Sequence, residues 1–146
     1  MRIEASLRES PMFAVKRAAL RFDALAAQAF AADDLGFMEG LVLAAIFFEF
    51  PHPIKPSHLA ATFATSRGNI SHAISSLEAK GLLQRRIDPS DARAYLLTLK
   101  PTGKRCALRV IAAFDRMQQG FEREVGASTL ANALKVIRAL EFCKPG

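Results

Sequence analysis

A polar, turn-forming segment, residues 88–93, separates two short runs of strand-forming residues, 82–87 and 94–99. This pattern predicts a β-hairpin. A hairpin of two short strands is not stable alone in water, so it must pack against neighbouring elements. Because the rest of the chain has helical periodicity, those elements are helices. The sequence therefore predicts a mainly α fold with one small β-hairpin.

Apolar residues recur at three- and four-residue steps on both sides of the hairpin, which is the spacing of a helix face. Pro51 and Pro53 end one helix, because proline cannot continue the backbone hydrogen bonds, and Gly81 ends another in a left-handed conformation. The predicted helices are residues 11–32, 37–50, 56–63, 66–80, 102–125 and 128–142. At 146 residues, the chain is expected to form a single domain, 1–146.

The positive charge is concentrated in the middle of the chain. Residues 51–105 carry nine basic and three acidic side chains, a net charge of +6, whereas residues 1–50 carry five basic and seven acidic ones. A basic segment between less basic flanks is expected for a protein that binds a polyanion such as nucleic acid. The alternative is a basic surface without such a partner.

The segment 56–80 reads as a short helix, a tight turn and a longer helix. In the longer helix, Ile70, Ala73, Ile74 and Leu77 form one apolar stripe, which should face the core. The other side carries short polar groups and one arginine, suited to reading base edges in a major groove. We predict DNA contacts from Ser66, Arg67, Asn69, Ser71, His72 and Ser75. Helix capping or simple solvation explains each of these residues equally well when it is taken alone.

Four further residues near the hairpin are predicted to contact DNA. Arg85 and Arg86 follow the longer helix and suit phosphate contacts, which position a protein without reading sequence. Arg93 lies in the predicted turn and suits a minor groove, with Asp91 orienting it through a charge-assisted hydrogen bond. The alternative for Asp91 and Arg93 is an exposed ion pair of little energetic value.

The run Leu-Glu-Ala-Lys-Gly-Leu-Leu-Gln-Arg, residues 77–85, is typical of winged-helix proteins in general. The stretch that follows is more specific: Asp-Pro-Ser-Asp-Ala-Arg at 88–93, Leu-Thr-Leu at 97–99, then Pro101 and Gly103. It resembles the hairpin, or wing, of the MarR family of transcriptional regulators. The resemblance covers about residues 55–105.

The resemblance implies a winged helix-turn-helix core flanked by N- and C-terminal dimerisation helices. Residues 37–105 would bind DNA, with the recognition helix at about 66–80 in the major groove and the wing at about 88–94 in the minor groove. Residues 1–36 and 106–146 would form the dimerisation helices of a homodimer, more often a repressor than an activator. Independently, the apolar faces of residues 11–32 and 128–142 have no evident partner in a monomer.

Lys55 and Lys100 stand where the family commonly has a threonine before a helix-starting proline. A lysine there opposes the helix dipole, and a nearby phosphate would relieve that repulsion. We therefore add Lys55 to the predicted DNA contacts; a tolerated surface lysine is the alternative. Ala92 stands where the family often has a second wing cation.

Family members often respond to small phenolic or lipophilic acids. Phe13, Phe47, Phe48 and Phe50 are the residues we predict for a small aromatic or lipophilic ligand, although they also suit an ordinary core. Cys106 lies among Lys104, Arg105 and Arg109, and nearby cations can lower a thiol pKa, which would suit a redox sensor. An inert buried thiol is the other reading.

Other functional classes find little support. The sequence has no paired nucleophile and base, no glycine-rich phosphate loop and no metal-ligand spacing, so we expect neither an enzyme nor a cofactor or metal. No apolar run is long enough for a membrane span and the N-terminus does not resemble a secretory signal, so we expect a cytoplasmic protein. A winged helix that docks protein or RNA remains the alternative to a DNA-binding regulator.

Overall fold

The computed structural model describes residues 2–146. These residues form seven α-helices and one antiparallel hairpin: α1 (Ile3–Glu9), α2 (Pro11–Ala29), α3 (Phe37–Glu49), α4 (Pro56–Thr62), α5 (Arg67–Ala79), β1 (Leu83–Asp88), β2 (Asp91–Leu99), α6 (Pro101–Val125) and α7 (Ala127–Glu141). The predicted mainly α fold with a small hairpin is confirmed. No helix within the described residues is long and apolar enough to cross a membrane.

Two elements differ from the prediction. Helix α1 was not anticipated, because its seven residues span only about two turns, too few for a repeating apolar pattern to show. Strand β2 begins at Asp91, three residues before the predicted start, so the turn proper is only Pro89 and Ser90. The polar composition of residues 91–93 conceals their extended conformation.

The chain divides into two compact units. The reading unit, as we call it, is Ala26–Ala113, and the terminal unit consists of the residues up to Leu25 together with Phe114–Gly146. The reading unit holds α3, α4, α5 and the hairpin, whereas α7 lies wholly in the terminal unit.

The core of the reading unit is built by α3 and α5. Helix α5 buries the predicted stripe, Ile70, Ala73, Ile74 and Leu77, each no more than 3% exposed. Helix α3 contributes Val42, Leu43 and Ile46 among its buried residues. Burying such aliphatic side chains contributes about 1.5–3 kcal/mol each, which fixes the direction of α5 and therefore of its exposed face.

The hairpin pairs Leu83 with Leu99 and continues to Ile87 opposite Tyr95. Beyond this pair the register shifts, and Asp88 lies opposite Asp91, so residues 92–94 have no partner in β1. Ile54, just before α4, adds an isolated bridge: its carbonyl accepts a hydrogen bond of 3.0 Å from the Leu97 N–H. The hairpin is therefore anchored to the segment that leads into α4.

The backbone packs closely where β2 ends and α6 begins, a place we call the hairpin exit. A Cβ atom at Gly103 would lie 1.8 Å from the carbonyl oxygen of Leu82, so only glycine fits this approach. The same turn is closed by a hydrogen bond of 2.8 Å from the Thr102 hydroxyl to the Gly81 carbonyl. Gly81 itself has φ of +72°, the left-handed conformation expected of it.

The terminal unit differs in composition and burial. Helix α7 has no buried residue. Phe22 of α2 and Phe114 of α6 stack with ring centroids 6.3 Å apart. Large apolar side chains of this unit remain exposed, including Ile3, Met12, Phe13, Leu20, Phe121, Leu134, Val136 and Ile137.

Candidate nucleic-acid interface

The exposed side of α5 carries the residues predicted to read DNA. Ser66, Arg67, Asn69, Ser71, His72 and Ser75 are all exposed, and the buried stripe of the helix faces away from them. The helix-turn-helix has thus brought the predicted polar groups onto one accessible surface. Arg67 begins the helix, where backbone N–H groups without helical partners also favour an anion.

Two of these side chains also build the start of the helix. The Ser66 hydroxyl accepts a hydrogen bond of 3.1 Å from the Asn69 N–H, the N-cap interaction that the sequence suggested. The Asn69 amide nitrogen donates to the Thr65 hydroxyl at 3.0 Å. Ser66 and Asn69 therefore have a structural role whether or not they contact a base.

Arg85 lies differently from the prediction. Its guanidinium donates a hydrogen bond of 2.7 Å to the Ser75 hydroxyl and lies 5.8 Å from the centre of the Tyr95 ring. Its backbone N–H donates to the Glu78 carboxylate at 3.2 Å, and its Nε atom is 3.9 Å from the same carboxylate. Arg85 and Ser75, predicted as separate DNA contacts, therefore bind each other and join the hairpin to α5.

Lys55 is also engaged within the protein. Its Nζ atom lies 3.0 Å from Oδ2 of Asp88, whose side chain is only 7% exposed. The other carboxylate oxygen of Asp88 accepts the Ser90 N–H at 2.9 Å. The Ser90 backbone N–H, and then Lys55, lower the pKa of Asp88, so this carboxylate stays ionised at neutral pH. The countercharge for the lysine before α4 is thus a protein carboxylate.

The arrangement of Asp91 and Arg93 corrects the sequence prediction. Arg93 lies in β2, within the unpaired residues 92–94, and not in the turn. The Asp91 carboxylate accepts a hydrogen bond of 3.0 Å from the Arg93 backbone N–H, not from its guanidinium. Asp91 therefore shapes the backbone of the bulge, and no carboxylate of residues 2–146 pairs with the exposed Arg93 guanidinium.

Arg86 and Arg67 complete the set of accessible cations near α5 and the hairpin. Both are exposed, and neither forms an ion pair within the described chain. With the Gln84 amide turned so that its oxygen faces Arg86, that oxygen accepts hydrogen bonds of 2.9 and 3.1 Å from the guanidinium. A neutral amide leaves the charge of Arg86 uncompensated.

A cavity of about 460 Å³ lies elsewhere in the reading unit, beside the end of α3 and β2. Phe47 and Phe50 line it as predicted, together with Leu97, Thr98 and Lys104. The other two phenylalanines do not line this cavity: Phe48 is 69% exposed, and Phe13 belongs to the terminal unit and is 52% exposed. Their contact with a ligand stays a prediction. Helical spacing alone did not reveal which faces of α3 are accessible.

Two polar groups mark this cavity. The Lys104 ammonium lies 4.4 Å from the centre of the Phe50 ring, close enough for a cation–π interaction. The Thr98 hydroxyl is buried and has no hydrogen-bond partner within the described residues. Sequence reasoning did not single out Thr98, because nothing in its local sequence shows that its hydroxyl is buried.

Cys106 does not have the environment of a reactive thiol. It is 1% exposed, and burial, followed by the negative charge of Asp33, raises its pKa. Asp33 itself is paired with Arg109, whose Nε atom lies 3.1 Å from its carboxylate. The predicted cationic activation therefore fails, because the nearest arginine is neutralised by a carboxylate. The described residues also contain no cluster of three side chains that could hold a metal ion.

Comparison with known proteins agrees with this architecture. The model of the MarR family matches residues 33–94. A curated protein of Thauera aromatica, named as a transcriptional regulatory protein for the hcr operon, is 28% identical over 87 residues. That match covers 60% of this chain and 52% of the relative, so the chain spans about half of the relative's length.

Solved structures show the same fold. The transcriptional repressor CouR, bound to a 23-mer DNA duplex, superimposes with a TM-score of 0.82 at 22% identity, covering 97% of this chain and 99% of that one. The regulator PcaV of Streptomyces coelicolor, in complex with its natural ligand, gives 0.79 at 24% identity, covering 92% and 94%. The chain thus has the winged helix-turn-helix fold of these structures, and its residues 33–94 match the model of the MarR family.

Proposed function

We propose that this protein is a dimeric DNA-binding transcriptional regulator, a repressor, in which α5 reads the major groove and hairpin residues 88–94 enter the minor groove. The observation that carries the proposal is the exposed polar face of α5, with accessible cations at its start and on the adjoining hairpin. Residues 37–105 are the proposed DNA-binding region. The CouR structure, with its DNA duplex, supports the same use of the fold.

The proposed groove contacts divide by chemistry. Arg67 at the start of α5 suits a guanine edge, since guanidinium groups bind its two acceptors side by side. His72 and Ser71 lie further along the exposed face and offer shorter hydrogen-bonding groups. Arg86 and Arg93 supply charge to phosphates or to a narrow minor groove.

The proposed homodimer is supported by the terminal unit. Its apolar side chains are exposed in a single copy, and α7 buries nothing there. Exposed apolar side chains in such number suit an interaction site. Residues 1–36 and 106–146 are the proposed dimerisation helices, and a two-fold axis would place the two recognition helices about one turn of DNA apart.

Binding of a mixed-sequence duplex over a salt series tests the DNA-binding function. Each phosphate neutralised changes the slope of log K against log[salt] by about −0.9, so a slope steeper than about −3 is expected for a dimer with several cations. A matched duplex RNA is the comparison, because its narrow major groove does not admit α5. A flat salt dependence, or equal affinity for the RNA, would contradict the proposal.

A small aromatic or lipophilic acid is the proposed effector, and the cavity beside Phe50 is its proposed site. Phe47, Phe50 and Leu97 would surround an apolar body, Lys104 would pair with a carboxylate, and the buried Thr98 hydroxyl lacks a partner within the described residues. The ligand complex of PcaV supports effector control of this fold. Because β2 lines the cavity, an occupant would act on the hairpin directly.

Benzoate is a suitable probe, with benzyl alcohol as its uncharged counterpart. We expect benzoate to weaken DNA binding, Lys104→Met to raise the benzoate concentration required by about tenfold, the equivalent of one lost charged contact, and benzyl alcohol to act weakly. If neither benzoate nor fatty acids change the affinity for DNA, the cavity is not an effector site for aromatic or lipophilic acids.

A further inference from the structure

Two cations that the sequence analysis assigned to phosphates bind polar side chains of the reading unit itself. Lys55 pairs with Asp88 at the tip of β1, and Arg85 binds Ser75 of α5. We propose that Lys55 and Arg85 are positioning residues, which fix the hairpin against α4 and α5 and do not contact phosphate. The DNA consequence of this inference rests on the proposed function, whereas the positioning itself does not.

The Lys55 contact joins two segments that are far apart in the sequence. Lys55 precedes α4, next to Ile54, whose carbonyl already accepts the Leu97 N–H. Asp88 ends β1 and fixes the turn through the Ser90 N–H. The ion pair therefore restrains the tip of the hairpin, while the Ile54 bridge restrains its middle. Without Lys55, a carboxylate that is only 7% exposed would lose its cation, which is unfavourable.

The Arg85 contact joins the hairpin to the recognition helix. Ser75 and Glu78, its two partners on α5, are three residues apart and so lie on neighbouring positions of the helix surface. The Tyr95 ring lies beside the guanidinium from β2. This side chain of β1 thus contacts both α5 and β2, and we infer that it restrains the hairpin against the recognition helix.

The hairpin cations that remain are Arg86 and Arg93, which are exposed and have no carboxylate partner within residues 2–146. The cations therefore have two distinct tasks. Lys55 and Arg85, at the junctions with α4 and α5, hold the hairpin in place. Arg86 and Arg93, on its accessible surface, remain available to contact DNA.

Tyr95 allows a direct test in the free protein. It is the single tyrosine, and the chain has no tryptophan, so intrinsic fluorescence reports on β2 alone. Quenching by acrylamide measures the accessibility of its ring. The variants are Lys55→Met, with Lys100→Met as control, and Ser75→Ala, with Ser71→Ala as control. Lys100 precedes Pro101 as Lys55 precedes Pro56, and no ion pair of Lys100 exists in the described part of the chain.

We expect Lys55→Met and Ser75→Ala to raise the quenching constant, with an upper limit of about twofold because Tyr95 is already 49% exposed. Both controls should match the wild type, and Lys55→Arg should restore it, since arginine keeps the charge and the reach. Unchanged quenching in Lys55→Met would overturn the positioning role of Lys55. Unchanged quenching in Ser75→Ala would overturn the positioning role of Arg85. Should Lys55→Met fail to fold, Lys55→Arg decides: quenching raised in this folded variant overturns the proposal, and wild-type quenching supports it.

The DNA arm separates positioning from phosphate contact. On a mixed-sequence duplex, Arg93→Met should reduce the salt slope by about 0.9 for each hairpin that binds. Lys55→Met should lower affinity and leave that slope nearly unchanged; a slope reduced as much as in Arg93→Met would overturn the proposal. If the wild type shows no salt-dependent DNA binding, the proposed function fails, and the Tyr95 result still decides whether Lys55 and Arg85 position the hairpin.

Discussion

The reading unit and the terminal unit differ in how many of their apolar side chains are buried and how many of their charged side chains are paired. Among residues 2–146, the buried apolar core and the ion pairs all lie between Ala26 and Ala113. In the described part of the terminal unit, helices α1 and α7 bury no residue, and large apolar side chains face solvent. The first unit therefore has an apolar core of its own, and the second exposes apolar surface that another subunit is proposed to cover.

This difference is the reason for placing the proposed dimer interface in the terminal unit. Exposed apolar area is unfavourable in water, and burying it stabilises an assembly by about 25 cal/mol for each Å². The reading unit also exposes some apolar side chains, such as Phe48 and Ile87, but α5 and the hairpin expose polar groups and cations, which suit a hydrated, charged partner. We therefore propose assembly through the terminal helices and recognition through α5 and the hairpin.

The largest expected effect comes from charging the apolar face of α7. The double variant Leu134→Glu, Ile137→Glu should convert the proposed dimer to monomer, because each buried unpaired carboxylate costs several kcal/mol. Sedimentation equilibrium measures the change, with Lys135→Glu as the control for added negative charge on the same helix. A double variant that stays dimeric, with wild-type affinity between subunits, would contradict the proposed dimer interface on α7.

Two glycines of α6 provide a sharper contrast. Gly103→Ala should destabilise the protein by about 3 kcal/mol, since an added Cβ would collide with the Leu82 backbone, which cannot yield as a side chain does. Gly120→Ala meets nothing within 4 Å and should stabilise the helix by up to about 1 kcal/mol. Denaturant unfolding measures both. Equal effects would mean that the hairpin exit is not the tightly packed element described above.

Lowering the pH should destabilise the reading unit. We expect this effect to be smaller than those of the α7 variant and of the glycine variants. The hydrogen bond from Arg109 lowers the pKa of Asp33, and the Ser90 N–H lowers that of Asp88. Burial raises the pKa of Glu39, but hydrogen bonds from Ser76, Gly36 and Lys80 outweigh it and leave this pKa below its ordinary value.

Because the three pKa values are lowered by folding, their contribution to stability is complete at neutral pH. It is lost as pH falls below the ordinary values, 4.5 for Glu39 and 3.8 for the two aspartates. Denaturant unfolding monitored by Tyr95 fluorescence should therefore show constant stability down to about pH 5 and a decline below it. In Asp88→Asn the decline should be shallower. A stability that does not change between about pH 5 and pH 3 would contradict these ion pairs.

Local sequence signals predicted the parts of the fold that depend on neighbouring residues. The apolar stripe of α5, the Ser66 cap and the left-handed Gly81 all follow from spacing or from the chemistry of one residue, and the structure confirms each. Helix α1 was not predicted because seven residues, about two turns, are too few to show a repeating apolar pattern.

The partners of Lys55 and Arg85 show what local reasoning cannot supply. Lys55 and Asp88 are 33 positions apart and meet only because Ile54 bridges to β2. Arg85 reaches Ser75 because the hairpin returns alongside α5. A sequence shows that a lysine needs a countercharge, but it does not show whether a phosphate or a carboxylate supplies it. Selecting among the available cations required the tertiary structure.

We propose that α5 reads base sequence and that the hairpin supplies charge. The direct test is the ratio of affinities for a duplex selected from a random pool and for its scrambled counterpart, measured for the wild type, Arg67→Ala and Arg86→Ala. The account predicts that Arg67→Ala lowers this ratio by about tenfold or more, as loss of a base contact does. Arg86→Ala should weaken both duplexes equally. A ratio that is unchanged in Arg67→Ala, or lowered equally in both variants, would contradict the account.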